Sequence, residues 1–443
     1  MDTDRMTPEN PIARIARRAR LASSPSASLP LATRNAALIA MADALDRGRA
    51  ELAEANGQDL SAAREEQLDA PLLSRLELSD RKIDQLMDGL KALAALPDPL
   101  HRTLLARELT PGLNLYRVTC PIGVLGIIFE SRPDALVQIA SLALKSGNCV
   151  LLKGGREALR TNQVLFRLID RAAQAAGVPD GWAGLLETRE DVSAMLALDE
   201  DIDLVIPRGS NAFVRYIMDH TRIPVMGHAE GLCHTYVDAD ADVAEAVRVT
   251  VDAKTQAYAV CNATETLLVH SGIAGRFLPA AARALREKGV ELRGDPRVRQ
   301  VIDCAPATEA DWQTEYLAPI LSIRIVDSVE EAVEHINRYG SHHTDAILTR
   351  DPASRQYFVS HVDSAGVYVN CSTRFADGYR YGFSAEVGIS TGRLHARGPV
   401  GLDGLCTYKY IMIGSGQTVA DSMNGAWSYT HRDLNAAEAH PEE

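Results

Sequence analysis

The chain has 443 residues, 46% hydrophobic and 24% charged, an ordinary balance for a folded protein long enough to hold two or three domains. Its 46 Lys and Arg against 59 Asp and Glu leave a net charge of −13, which argues against a general nucleic-acid or anionic-membrane binder while allowing a local basic pocket. No apolar run approaches the roughly 20 residues of a membrane span. The N-terminus carries Asp2, Asp4 and Glu9 and reads as neither a secretory nor a transit segment. Seven scattered cysteines without a C-x-x-C pair favour a reducing, cytoplasmic setting over a zinc ribbon or disulfide framework.

From about residue 11 to 96, apolar positions recur three and four apart, which predicts a helical layer. Asn56-Gly57 is expected to break it, and Ser79 to cap its last helix before Pro97. At Leu105 the texture changes. "RELTPGLNLYRVTCPIGVLGIIFE" reads as strands around a Pro-Gly turn. Helix and strand signals then alternate. "DALVQIASLALKSG" is a helix with Pro133 at its start and Gly147 as its stop. "NCVLLK", "DLVIPRG" and "IPVMG" are strands, and "SNAFVRYIMDH" is a helix. A second alternating block runs from about Cys233 to Val400, and a polar tail from Thr430 is expected to fray. Such alternation predicts an α/β protein with doubly wound parallel sheets.

Ligands of such sheets sit beyond strand carboxyl ends, near helix N-termini. Three turns are candidates. "LLKGGREAL" places Lys153 and Arg156 around Gly154-Gly155. "VIPRGSNAF" repeats the arrangement with Gly209 and Ser210, and "FESRPDAL" puts Glu130, Ser131 and Arg132 at a further strand end. None matches a standard phosphate fingerprint, so each also reads as a tight turn with solvated charges, and Ser210 as a helix cap. Cys261, in "AYAVCNATETLLVH", is either a nucleophile or a small buried hydrophobe. His228 and His234 flank Cys233 at no zinc-like spacing, so no metal site is expected.

Together, "CPIGVLGIIFESRPDA", "LKSGNCVLLKGG", "IPRGS", "GLCHTYVD", "VCNATETLLVH", "GSHHTDAI", "STRFADG" and "AEVGISTGRLHARGPVGLDGLCTYKY" resemble the aldehyde dehydrogenase superfamily. Within it they are most similar to the γ-glutamyl phosphate reductases of proline biosynthesis, over about residues 12–417. The resemblance implies a cofactor-binding domain over 1–232, with an inserted oligomerisation hairpin at about 106–119. It implies a catalytic domain over 233–403 and a C-terminal strand and tail over 404–443, the strand pairing with the hairpin in a homo-oligomer. Cys261 falls at the catalytic thiol and Ser131 at the oxyanion asparagine's place. Lys153, Gly154, Gly155, Arg156, Gly209, Ser210 and Glu315 fall at the cofactor site. Arg156 stands where NAD-preferring relatives often carry glutamate, which favours NADPH. Arg132, Arg374 and Arg397 are candidates for the substrate's carboxylate and phosphate.

The superfamily's water-activating glutamate has no clear counterpart. His228 aligns there, with Glu230 two residues on, and the acid/base role is open among His228, Glu230 and His234. The implied reaction is NADPH-dependent reduction of L-glutamyl 5-phosphate to glutamate 5-semialdehyde through a Cys261 thioester, the substrate coming from a separate glutamate 5-kinase. The rivals are an ordinary NAD(P)-dependent aldehyde dehydrogenase and a silent cofactor-binding protein on the same fold.

Overall fold

The computed structural model describes residues 10–130, 132–228, 230–383 and 385–436. Five helices lead: α1 (Pro11–Ala27), α2 (Leu31–Arg47), α3 (Arg49–Glu65), α4 (Ala70–Leu76) and α5 (Asp80–Ala95). The expected break at Asn56-Gly57 does not occur, and α3 runs through it. The Asn56 side chain is buried and used across the layer. Its amide donates to the Leu76 carbonyl, and its oxygen accepts from the Leu78 N–H. Those bonds offset the low helix propensity of the pair. Chain direction changes instead at Gly48, the residue between α2 and α3. Ser79 occupies the N-cap of α5 without a side-chain capping bond.

The hairpin strands β1 (Thr103–Thr110) and β2 (Leu113–Pro121) turn at Gly112, whose φ of +76° suits glycine. Then follow β3 (Val124–Ile128), α6 (Pro133–Lys145), β4 (Cys149–Lys153), α7 (Leu159–Ala175), β5 (Ala183–Leu186), α8 (Arg189–Met195), β6 (Leu204–Pro207) and α9 (Asn211–Asp219). β3 to β6 form a parallel sheet in the order β5-β4-β3-β6. Every residue of β3, β4 and β6 is buried, as expected of strands covered on both faces. "IPVMG" is not a full strand: it touches this sheet through the single bridge Val205–Val225.

The second block contributes β7 (Cys233–Val237), α10 (Val243–Thr255), β8 (Thr264–His270), α11 (Ser271–Glu287), β9 (Glu291–Gly294), β10 (Ala305–Pro306), β11 (Ile320–Val326), α12 (Val329–Tyr339), β12 (Thr344–Leu348), α13 (Pro352–His361) and β13 (Gly366–Val369). Its seven strands are all parallel, in the order β10-β9-β11-β8-β7-β12-β13. One apolar core joins the leading helices to the four-stranded sheet, and two others fill the faces of the seven-stranded one.

After the short ribbon β14 (Gly388–Ser390) and β15 (Gly398–Val400), β16 (Cys406–Ile413) returns to β2 and pairs antiparallel from Cys406 opposite Pro121 to Ile413 opposite Asn114. The polar tail is not frayed throughout. A two-residue strand, β17 (Arg432–Asp433), pairs with β1, and the Leu434 N–H donates to the Ala106 carbonyl. Leu434 and Ala436 pack on Ala106, Tyr116 and Val118, which pins a segment too polar to look structured.

Candidate active site

At the carboxyl edge of the four-stranded sheet, strand order reverses between β3 and β6, the topological position where such sheets bind ligands. β4 ends in Lys153, a buried ammonium whose bond is to the Gly154 carbonyl and whose pKa burial pulls down. A Cβ at Gly154 would stand 2.3 Å from Asn162 Nδ2 and 3.0 Å from the Phe129 ring, so a side chain here would have to displace Asn162. Asn162 Oδ1 beside it is buried without a partner. β6 leads into Arg208, Gly209 and Ser210, and the Ser210 hydroxyl accepts from the Phe213 N–H at 3.4 Å to cap α9. A Cβ at Gly209 would approach the Phe213 ring to 3.0 Å. Close glycine turns, a buried cation and an orphaned acceptor fit a dinucleotide. Arg156 opens the turn before α7 and points outward, 80% exposed, onto Glu66 at 2.9 Å.

Cys261 lies across from this edge, in the turn before β8, at the amino edge of its own sheet and half-buried. A Cβ at Gly231 would fall 2.2 Å from the Cys261 carbonyl oxygen and 2.4 Å from its Cα, so "GLCHTYVD" needs its glycine to admit the cysteine turn. Asn211, the first residue of α9, donates from Nδ2 to Glu315 Oε2 at 2.6 Å and ties the two sheets' loops together. Burial, then the charges of Glu315 and Glu386, push the Cys261 thiol up to about 12, with Arg208 pulling the other way. The resting thiol is therefore protonated. Arg374 is buried nearby, its Nε donating to Gln256 at 2.9 Å, and Cys261 and Arg374 feel each other's charge.

One ring nitrogen each of His228 and His343 lies, with Cys261 Sγ, within 4.8 Å of the others. The His228 Nδ1 is 2.9 Å from the Ile389 carbonyl, which can only accept, so Nδ1 carries the proton and Nε2 is the free acceptor. Burial pulls both imidazoles below the ordinary histidine value, His343 to about 3. Behind them, Lys254 and Glu265 form a fully buried ion pair at 2.5 Å, and Glu265 is pushed up to about 7, chiefly by burial.

The remaining sequence candidates separate. His234 is no partner of Cys261: it sits inside the sheet at 2.9 Å from Asp345 and wholly buried, because it points to the far side of β7. Glu230 pairs with Arg215 on the surface at 3.1 Å. Arg132 pairs with Asp134 at 2.8 Å, and Arg397 with Asp363 at 2.9 Å. Ser131 lies outside the described residues. His343, Arg208 and Glu386 had no role in the sequence reading. Each lies inside a stretch singled out there, "GSHHTDAI", "IPRGS" and "AEVGIS", but no local rule assigns one. The clustering of His228, Cys261 and His343 likewise shows metal-capable donors that linear spacing does not reveal.

The aldehyde dehydrogenase family model matches residues 3–300 and 300–384. The chain is 56% identical over 421 residues to the γ-glutamyl phosphate reductase of Pelotomaculum thermopropionicum, covering 95% of this chain and 97% of the relative. It is 57% identical over 402 residues to that of Acetivibrio thermocellus, covering 91% and 93%. The crystal structure of the γ-glutamyl phosphate reductase from Thermotoga maritima superposes with a TM-score of 0.90 at 41% identity, covering 92% of this chain and 100% of that one. An acetylating aldehyde dehydrogenase from Geobacillus thermoglucosidasius, 15% identical with a TM-score of 0.62, shares the fold. A glycine-framed sheet edge facing a half-buried cysteine, together with this similarity over nearly the whole chain, identifies an oxidoreductase that belongs to the γ-glutamyl phosphate reductase family of the aldehyde dehydrogenases.

Proposed function

We propose that the chain reduces L-glutamyl 5-phosphate to glutamate 5-semialdehyde, releasing phosphate, with NADPH as reductant and Cys261 as acyl carrier. The observation that carries this reading is the residue beside the thiol. His228 stands by Cys261 where hydrolytic relatives keep a carboxylate, while Glu230 is turned onto Arg215. Cys261 attacks the acyl carbon, its Sγ proton passes to His228 Nε2, and the carbon–oxygen bond to phosphate breaks to leave a thioester. Arg374 and Arg208 are the cations suited to the substrate's anionic groups. The orphaned Oδ1 of buried Asn262, next to the thiol, is a candidate acceptor for the substrate's ammonium. A bound reduced nicotinamide cofactor supplies the hydride for the thioester carbonyl. His228 then returns its proton as the thiohemiacetal collapses and Cys261 is released.

Lys153, Gly154, Gly155, Gly209, Ser210 and Glu315 are the residues suited to hold that cofactor, and the Arg156 guanidinium favours a 2′-phosphate. Substrate supply by a separate kinase, a homo-oligomer built on the β1–β2 hairpin and a cytoplasmic site belong to the same proposal. The test is run in reverse: with NADP⁺, glutamate 5-semialdehyde is oxidised only when phosphate is supplied. A second reading, an ordinary aldehyde dehydrogenase, draws on Glu386, whose charge reaches Cys261. Phosphate-free oxidation that disappears in Glu386→Gln would establish it.

A further inference from the structure

The trio around Cys261 has a chemistry beyond acyl transfer. Its donors are one thiol sulfur and two imidazole nitrogens, the set that soft divalent cations prefer over the oxygen ligands of magnesium or calcium. Each histidine is held at Nδ1, which leaves Nε2 as the nitrogen for a metal, the arrangement of a metal-bound histidine. His228 Nδ1 donates to the Ile389 carbonyl at 2.9 Å. His343 Nδ1 lies 3.0 Å from Thr344 Oγ1 and 3.7 Å from Cys233 Sγ. His343 is 1% exposed, and its Nε2 is buried without any partner. A buried nitrogen left without a bond is a cost that a ligand removes. Of the charges that act on the sulfur, Glu315 and Glu386 favour an arriving dication, while Arg208 and Arg374 oppose it.

We propose that His228, Cys261 and His343 form a reversible inhibitory site for a soft divalent cation of the zinc class, with a water or phosphate oxygen completing a tetrahedron. The donors, up to 4.8 Å apart, draw in by about 1 Å to reach the spacing that Zn–S of about 2.3 Å and Zn–N of about 2.0 Å impose. The sulfur–metal bond forms as the thiol proton is released to solvent, and no electron is transferred. A metal-capped thiolate cannot attack the acyl phosphate, so occupancy and turnover exclude each other. The inhibition rests on the function proposed above, whereas the binding does not.

The experiment titrates the metal-free full-length chain with Co²⁺ alone and reads the thiolate-to-cobalt charge-transfer absorption. We expect one cobalt per chain, loss of the band in Cys261→Ser, and weakening by more than about tenfold in both His228→Asn and His343→Gln. His343 is buried, so thermal melts qualify its variant, and the exposed-side partner His228 keeps the test decisive if that variant does not fold. Zn²⁺ should inhibit reduction and EDTA restore it, with Mg²⁺ inert. Absence of the band, or a band that survives in Cys261→Ser or is unchanged in His228→Asn, overturns the site. Cobalt binding in an enzyme that shows no phosphate-coupled activity sustains the site while refuting the proposed reaction. Phosphate-coupled activity without the band does the reverse.

Discussion

Two histidine pairs stand on either side of the β7–β12 seam, and their geometry is nearly the same. The His228 and His343 rings meet edge-on with centroids 5.1 Å apart at 77°, and those of His234 and His335 at 5.5 Å and 77°. In both pairs burial holds at least one imidazole far below the ordinary histidine value, His343 at about 3 and His335 at about 2. What differs is the surroundings. The second pair is enclosed: His234 binds Asp345, Arg324 donates to His335 Nδ1 at 3.2 Å, and Trp312 and Tyr339 cover His335. The first pair opens on a half-buried thiol between two sheets. A perturbed imidazole is thus no sign of catalysis by itself, and it is the neighbouring thiol and cleft that single out the first pair as the candidate.

Replacing the thiol removes the feature that sets the first pair apart. Cys261→Ser should lower turnover by more than about a hundredfold, because a serine hydroxyl is a far weaker acyl acceptor without strong base assistance. NADPH binding, followed by fluorescence, should persist. Substantial residual rate would mean that the cysteine is not the acyl carrier.

The histidines test the contrast directly. His228→Asn should reduce kcat by about tenfold to a hundredfold, the scale of general acid–base catalysis. His335→Leu should leave kcat within about twofold, since it acts only through packing. Equal losses in the two variants would erase the distinction drawn between the pairs.

Cofactor choice is a smaller effect at the opposite edge. Arg156→Glu should raise KM for NADPH about tenfold and leave KM for NADH nearly unchanged, because one exposed charge-assisted contact to a 2′-phosphate is lost. Parallel rises for both cofactors would remove Arg156 from the site. Its present partner, Glu66, would then be the whole of its role.

The enclosed pair should appear only in stability. The folded pKa of His335, about 2, lies below its ordinary value of 6.5. The unfolded chain therefore binds a proton that the folded one refuses. Stability is full above pH 6.5 and falls as pH drops through the window toward 2, by up to about 1.4 kcal/mol per pH unit from this group. Denaturant unfolding between pH 7 and 5 should show a shallower decline in His335→Leu than in the wild type. Identical slopes would mean that this imidazole is already neutral in the unfolded chain or charged in the folded one.

Much of the architecture was readable in the chain. The 3.6-residue periodicity marked the leading helices, and alternation marked two blocks of parallel strands. The Pro-Gly turn marked the hairpin that pairs with Cys406–Ile413. Those features are local, being set by propensity and apolar spacing within a few residues. The same holds for Gly209 and Ser210, whose turn and cap chemistry is carried by Phe213 within the next turn of chain. Where distant segments meet, local pattern failed. Asn56-Gly57 reads as a breaker, yet α3 continues because Leu76 and Leu78 satisfy the asparagine. The tail reads as frayed, yet β1 offers it an open edge.

His234 and His343 could not be told apart in sequence, since each begins or adjoins a strand of the same sheet. Only the packing of β7 against β12 decides that His234 faces Asp345 while His343 turns toward Cys261 and His228. Side chains alternate between the faces of a strand, so the direction of each is known only once the register with its neighbour is. The sequence by itself determined the alternating strands and helices and the Ser210 cap of α9, because local spacing and capping write both. The tertiary structure decided which groups surround the thiol, because those contacts join segments that are distant along the chain, as between Cys261 and His343.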